Sequence, residues 1–219
     1  MKYISLLFAA ALLTGCANHA TFRTPSPYTS IDDEFTGQTV KYTLKYSQPE
    51  PGIFTGGQQQ VPTDLSKSNL SIVSAHTLAN AEEIVERHLP AGLTPVTGES
   101  GADYLFDVQM TAHSKHGPTA WDFQFAKSLG IGLLTLGLGP DYWQIIADFE
   151  VTYSLTDSQT GHTITEEYAV TEVAEHQAGP FESNAPLKRA SRDMFERNFA
   201  LTLNEFFEQV DTLAMNNGE

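Results

Sequence analysis

The chain has 219 residues, 41% of them hydrophobic and 18% charged, and a formal net charge of −15 at pH 7. The hydrophobic fraction is too high for a disordered chain and too low for a polytopic membrane protein. A surface with this negative charge repels the phosphate groups of nucleic acids, and we therefore expect no nucleic-acid partner. The length favours a single folded domain.

The first element in the chain is an apolar segment that begins after Lys2 and runs from Ile4 to Leu13, interrupted by Ser5. Ten residues make a helix about 15 Å long, half of the roughly 30 Å hydrocarbon core of a bilayer. The segment is therefore too short for a stable transmembrane anchor. A positive residue, an apolar run and then small residues are typical of a secretory signal peptide, which we place at residues 1–15.

The signal peptide ends in Leu13-Thr14-Gly15-Cys16, which resembles the lipobox of bacterial lipoproteins. The resemblance implies that the Cys16 sulfur receives a diacylglyceryl group, that the chain is cut before Cys16, and that the new amino terminus is acylated, for example with palmitate. Three acyl chains exceed what stable anchoring requires. Cys16 is the only cysteine, so no disulfide can form within the chain. The alternative is an ordinary signal peptide with a chance cysteine.

The residue after Cys16 is Ala17 rather than Asp. In the enteric lipoproteins that the motif resembles, Asp at this position retains the protein at the inner membrane. The resemblance thus implies the outer membrane of a Gram-negative envelope, with the domain facing the periplasm. Residues 16–35 are rich in Thr, Ser, Pro and Asp, and we predict that they form the lipidated cysteine and a flexible tether.

We predict a single domain over residues 36–219. Alternating apolar residues from Val40 to Tyr46 indicate a strand, and the Pro- and Gly-rich residues 48–64 indicate a loop. The pattern from Leu70 to Ser74 suggests a short strand. Thr77 is a candidate N-cap for a helix over residues 78–89, which Pro90 ends.

Two long alternating segments, residues 103–112 and 143–155, predict strands. The second leads through the turn 157–161 into a returning strand, which is typical of a β-hairpin. From Pro186 to about residue 214, apolar residues recur at helical spacing and predict a long C-terminal helix that covers the sheet. The fold class is α+β, with two layers: a mainly antiparallel sheet of four or five strands and two helices on one face.

The connection between these long strands contains an uncharged, Gly-rich stretch, Ser128–Pro140. We first expect it to pack in the core of the domain. A partner-binding patch and a membrane contact are the alternatives, because an exposed apolar surface of this size marks an interaction site. The candidate contact residues are Leu129, Ile131, Leu133, Leu134, Leu136 and Leu138.

The sequence contains no catalytic signature: GxSxG, SxxK and HExxH motifs are all absent. The pair Gly130 and Gly132 lacks the third glycine of a phosphate loop, and His113 with His116 lacks a third zinc ligand. We therefore predict no catalytic residue, metal site or cofactor. The basic cluster at the start of the last helix has the pattern of a solvated face.

The layout from Gly101–Val108 to the C-terminal helix resembles small α+β outer-membrane lipoproteins of Gram-negative bacteria. Some of these are accessory factors of envelope assembly, transport or secretion. The resemblance implies a non-enzymatic binding protein with membrane lipid, and another envelope protein, as partners. The alternative is a lipid-anchored periplasmic enzyme or small-ligand-binding protein.

Overall fold

The computed structural model describes residues 17–29, 35–50, 60–98, 101–135 and 139–217. The predicted signal peptide and Cys16 lie outside the described residues, as do Leu136 and Leu138. The strands are β1 (Thr39–Gln48), β2 (Gln60–Asp64), β3 (Thr94–Pro95), β4 (Tyr104–Ala112), β5 (Thr119–Phe123), β6 (Asp141–Asp157) and β7 (Thr163–Ala178). The helices are α1 (Ile72–Thr77), α2 (Ala81–His88), α3 (Phe125–Leu134) and α4 (Ala185–Asn217).

The strands form one seven-stranded mixed sheet with the order β2-β1-β4-β6-β5, in which β3 pairs with β1 and β7 pairs with β6. The 17-residue strand β6 organises this sheet: β7 follows one of its edges, and β4 and β5 share the other. The pairing of β1 with β4 is parallel, and the crossover between them carries α1 and α2. The predicted α+β fold class and two-layer arrangement are confirmed, with seven strands in place of four or five.

The core lies between the sheet and α4. Every second residue of β6 from Ile145 to Leu155 is buried, and on α4 the predicted apolar stripe is buried from Phe195 to Val210. The ring of Phe149 lies 5.5 Å from that of Phe195, and the ring of Tyr153 lies 5.3 Å from that of Phe206. The predicted β6–β7 hairpin is confirmed, with a five-residue connection over residues 158–162.

The segment around Leu70–Ser74 forms a helix, and the prediction of a short strand there is wrong. Ser71 is the N-cap of α1, because its side chain accepts a hydrogen bond from the Ser74 amide. Thr77 therefore ends α1 and does not cap the next helix, which begins at Ala81. The residues predicted as a loop from 48 to 64 include β2 at their end, where Thr63 pairs with Tyr46.

The described part of the predicted tether, residues 17–29, packs along the domain, so the prediction of a flexible coil is wrong for it. Asn18 forms a β-bridge with Gln177. The Tyr28 amide donates to the Asn204 side chain at 3.0 Å, and the Tyr28 hydroxyl donates to Asp211 at 2.8 Å. Composition predicted a coil because Thr, Ser and Pro dominate, whereas the aromatic and histidine side chains between them hold the segment.

Candidate functional site

Helix α3 lies beside the first residues of β6 and is held there by its N-terminal half. The Gln124 amide, just before the helix, donates to the Tyr142 carbonyl at 2.8 Å. The Tyr142 amide donates to the Ser128 hydroxyl at 2.9 Å. The ammonium group of Lys127 donates to Glu175 on β7 at 2.9 Å and lies 4.4 Å from the centre of the Tyr142 ring.

The apolar side chains of α3 are largely exposed. The exposed fractions are 65% for Phe125, 48% for Leu129, 72% for Leu133 and 86% for Leu134. Ser128 is the one buried residue of this helix, all ten residues of which the structure describes. The expectation that the stretch packs in the core is therefore wrong for Leu129, Leu133 and Leu134, while Ile131 is half-buried.

The exposure of α3 has a geometric cause, because the helix contacts the domain along one side only. A Cβ on Gly139 would lie 2.6 Å from Cγ2 of Ile131 and 2.8 Å from Oγ1 of Thr135. Gly139 thus lets the chain pass against this side and return directly into β6. Leu133 and Leu134 are left exposed.

An open groove of about 510 Å³ runs along α3. Apolar side chains and Gly139 form most of its walls, and Asp141 stands at its edge. The lining includes Phe123, Phe125, Leu129, Leu133, Gly139 and Asp141. Aromatic rings continue this surface at the base of the helix, because the Phe123 ring lies 4.8 Å from the Trp143 ring and 6.5 Å from the Phe125 ring.

The first described residue of the chain, Ala17, lies at the same end of the sheet as α3. The β6–β7 ladder reaches Asp141 paired with Ala178 at this end. The next residue, Gly179, is close to Ala17, since a Cβ placed on Gly179 would lie 3.9 Å from that of Ala17. Phe181 follows in the connection to α4, with a side chain that is 93% exposed and a φ of 65°.

A cluster of His19, His176 and Glu182 fixes the N-terminal residues to this end of the sheet. The two imidazole rings stack with their centres 5.0 Å apart. His19 Nε2 lies 2.9 Å from Glu182 Oε1, and the Ala20 amide donates to Nδ1 of His176 at 3.3 Å. The two histidines are 157 positions apart, and nothing in the sequence indicates that they meet, because only the packing of residues 17–29 brings them together.

The electrostatics of this cluster follow from its burial and its hydrogen bonds. The pKa of His176 is lowered from its ordinary value by burial and by the neighbouring His19. The pKa of the Glu182 carboxyl is lowered by the hydrogen bonds that it accepts from the Gly179 amide and from His19. His176 is therefore held as a neutral ring whose Nδ1 accepts from the Ala20 amide.

The other sequence candidates are dispersed in the structure. His113 lies 3.8 Å from Glu150, and within the described ranges no group of three or more His, Cys, Asp or Glu residues is arranged so that it could hold a metal ion. In the basic cluster of α4, Arg192 lies 3.6 Å from Glu196, while Arg197 pairs with Glu172. None of the helices in the described part of the chain is long and apolar enough to cross a membrane.

Comparison with known proteins gives no family. No family model and no curated protein matches the chain. Among solved structures, a DUF330 protein from Xanthomonas campestris has 8% identity over 91% of this chain and 99% of its own, with a TM-score of 0.38. A neuraminyllactose-binding hemagglutinin homolog from Helicobacter pylori has 7% identity over 91% of this chain and 100% of its own, with a TM-score of 0.42.

The PelC dodecamer from Paraburkholderia phytofirmans is also similar, with 8% identity over 83% of this chain and 96% of its own and a TM-score of 0.24. All three TM-scores are below 0.5, so these similarities carry no argument about function.

Proposed function

We propose that this protein is a lipid-anchored lipoprotein of the bacterial envelope and that it acts by binding rather than by catalysis. The observation that carries the proposal is the exposure of Leu133 and Leu134 on a helix fixed to the domain. Exposed apolar patches with a rigid support mark interaction sites, because a patch without a partner lowers solubility.

The anchor is the second part of the proposal, and it comes from the lipobox that ends in Cys16. We place the acylated protein at the outer membrane, with its domain in the periplasm. Its role there would be that of an accessory factor in envelope assembly, transport or secretion. We assign it no catalytic residue; the single charged side chain of α3, Lys127, is paired with Glu175.

Labelling of expressing cells with a radioactive fatty acid tests the anchor. We expect the wild-type chain to take up the label and to be cut before Cys16, and we expect Cys16→Ala to do neither, because the sulfur that receives the lipid is gone. Leu133→Asp/Leu134→Asp serves as the matched control and should keep the label, since it leaves residues 1–16 intact. Label retained by Cys16→Ala would refute the anchoring.

A further inference from the structure

The two ends of the sheet carry different surfaces. At the end where β6 begins and β7 finishes lie α3, Phe181 and Ala17, and we call these together the apolar end. We propose that the apolar end inserts shallowly into the bilayer that carries the anchor, with α3 lying in the membrane interface. This inference rests on the proposed anchoring at Cys16, and it adds the contact surface and the orientation of the domain.

The position of Ala17 is the first argument. Gly139 contacts Ile131 of α3, Asp141 pairs with Ala178, and Gly179 is adjacent to Ala17. One strand pair therefore separates the apolar helix from the residue that follows Cys16. Acyl chains attached to Cys16 begin within one residue of Ala17, about 3.8 Å between consecutive Cα atoms. The bilayer that takes up these chains is therefore brought against the apolar end.

The chemistry of α3 is the second argument. Its single charged side chain, Lys127, turns back to the domain, where it bonds to Glu175 and lies over the Tyr142 ring. The other exposed residues of α3 are all apolar and include Phe125, Leu133 and Leu134. A helix of ten residues is too short to span the hydrocarbon core. It suits the interface, where apolar helices sink about 5–10 Å.

The aromatic residues are the third argument. Tyr142 and Trp143 lie at the base of α3, and Trp and Tyr rings are the side chains that favour the boundary between headgroups and acyl chains. Phe181 projects fully into solvent from a residue in the left-handed region, which is costly for a bulky side chain. A membrane contact gives that exposed ring an apolar surrounding.

The size of the surface favours a bilayer over a second copy of the chain. Helix α3 is about 15 Å long and about 10 Å wide. A stable protein interface needs about 800 Å² from each partner, which a patch of this size does not supply alone. A bilayer requires no such area once the acyl chains hold it in place, because the second contact is then intramolecular.

The charge of the domain defines which membranes should work. The full sequence has a formal charge of −15, and removal of residues 1–15 with Lys2 makes the protein more negative still, so it is not drawn to anionic lipids. The insertion should therefore occur on zwitterionic phosphatidylcholine vesicles and should be insensitive to salt, because it depends on apolar contact.

A fluorescent probe on the acylated protein, which begins at Cys16, tests the inference. In the acylated chain Cys16 has no free thiol, so an environment-sensitive fluorophore reacts only with an introduced cysteine. We would place one at Leu134→Cys and, as the matched control, one at Gln159→Cys, which is exposed in the turn at the other end of β6. The protein is reconstituted in phosphatidylcholine vesicles that contain a lipid with a nitroxide near the top of its acyl chain.

We expect nitroxide quenching of the Leu134 probe to be at least about twofold stronger than that of the Gln159 probe, because only the former enters the acyl region. Adding Leu133→Asp to the Leu134→Cys protein should remove this difference.

Each remaining outcome decides the inference. Equal quenching of both probes on vesicles that retain the protein would overturn the bilayer contact and leave the anchoring intact. A blue shift of the Leu134 probe that depends on protein concentration and not on vesicles would show a second copy on α3 and would also overturn it. Absence of lipid on Cys16 would refute the anchoring. If the Leu134 probe still entered vesicles in that case, the bilayer contact would be supported.

Discussion

At the scale of single residues, the neutral form of His176 links the N-terminal segment to the sheet. Its Nδ1 accepts from the Ala20 amide, and its Nε2 is buried without a hydrogen-bond partner among the described residues. Protonation would place a hydrogen on Nδ1 and a charge beside His19. The neutral ring therefore fits the folded protein, and the charged ring does not.

This arrangement predicts a loss of stability in mild acid. Because the folded-state pKa of His176 is below that of the unfolded chain, the unfolded state binds more protons as the pH falls through the ordinary histidine pKa of about 6.5. The stabilisation is complete above that pH and is lost below it. We expect about 1 kcal/mol of this loss to come from the broken bond to Ala20. Thermal melts at several pH values measure it.

His176→Gln is the control for this prediction, since a glutamine oxygen can accept from the Ala20 amide at any pH. The variant should keep only the acid sensitivity that comes from other groups. One of these is His88, whose pKa is also lowered by burial. A melting temperature that falls equally with pH in the variant and in the wild type would contradict a role for His176.

At the scale of elements, α3 is an apolar helix whose Leu129, Leu133 and Leu134 lie outside the core. We predict that Leu133→Asp/Leu134→Asp changes the free energy of unfolding by only about 1 kcal/mol, from weaker helix propensity and an unfavourable charge near the helix C-terminus. The matched control is Ile145→Asp, at a fully buried position of β6. It should cost several kcal/mol, comparable with a whole domain's stability of about 5–15 kcal/mol.

Thermal or urea unfolding of both variants provides the measurement. A double variant that unfolds as readily as Ile145→Asp would show that the leucines belong to the core, as the sequence first suggests. Unfolding of the double variant close to that of the wild type would agree with the exposed positions of Leu133 and Leu134.

The long elements could be predicted from the sequence because their patterns are strong. The alternation in β6 and the helical stripe of α4 each cover many residues, and each element buries one face. The short elements lack such a signal. β5 has five residues and lies within the segment that the sequence predicts to be a connection between the two long strands. α1 has only six residues, too few for the sequence to distinguish a helical period from a strand period. The hydrogen bond that the Ser71 side chain accepts at its N-terminus favours the helix.

The candidate site could be located from the sequence but its exposure could not. The uncharged, Gly-rich composition of Ser128–Pro140 marks it as unusual. This composition is compatible with a buried stretch and with an exposed one. The difference arises from tertiary geometry: Gly139 lets the chain return directly into β6, so the helix contacts the domain on one side. The placement of Ala17 beside this end is likewise a property of the packed chain.

At the scale of the whole molecule, the long hairpin gives the domain two unlike ends. β6 spans roughly 55 Å at the usual rise per residue. Its first residues lie with α3 and Ala17, and its last residues lead into the polar turn 158–162, where Asp157 accepts from the Gln159 amide. A domain inserted at the apolar end would present this turn at the far side.

The packing of residues 17–29 also determines how the protein would respond to mechanical force. A pull on an anchor at Cys16 acts on one end of a segment held by a single bridge at Asn18 and by side-chain bonds such as those of Tyr28. These contacts break one after another, as in peeling, whereas the sixteen residue pairs between β6 and β7 resist together. Tension would therefore strip the segment from the domain first.

Optical-tweezers stretching between position 16 and Gln159→Cys should show this as a separate low-force step. The thirteen residues from 17 to 29 span at most roughly 45 Å when fully extended, which is the upper limit of the length that they release before the sheet ruptures. A single rupture with no earlier step would contradict it. Under tension from the membrane, residues 17–29 would thus extend into a flexible tether while the sheet stays folded. Force, and not the amino-acid composition of the segment, would then produce the flexible linker.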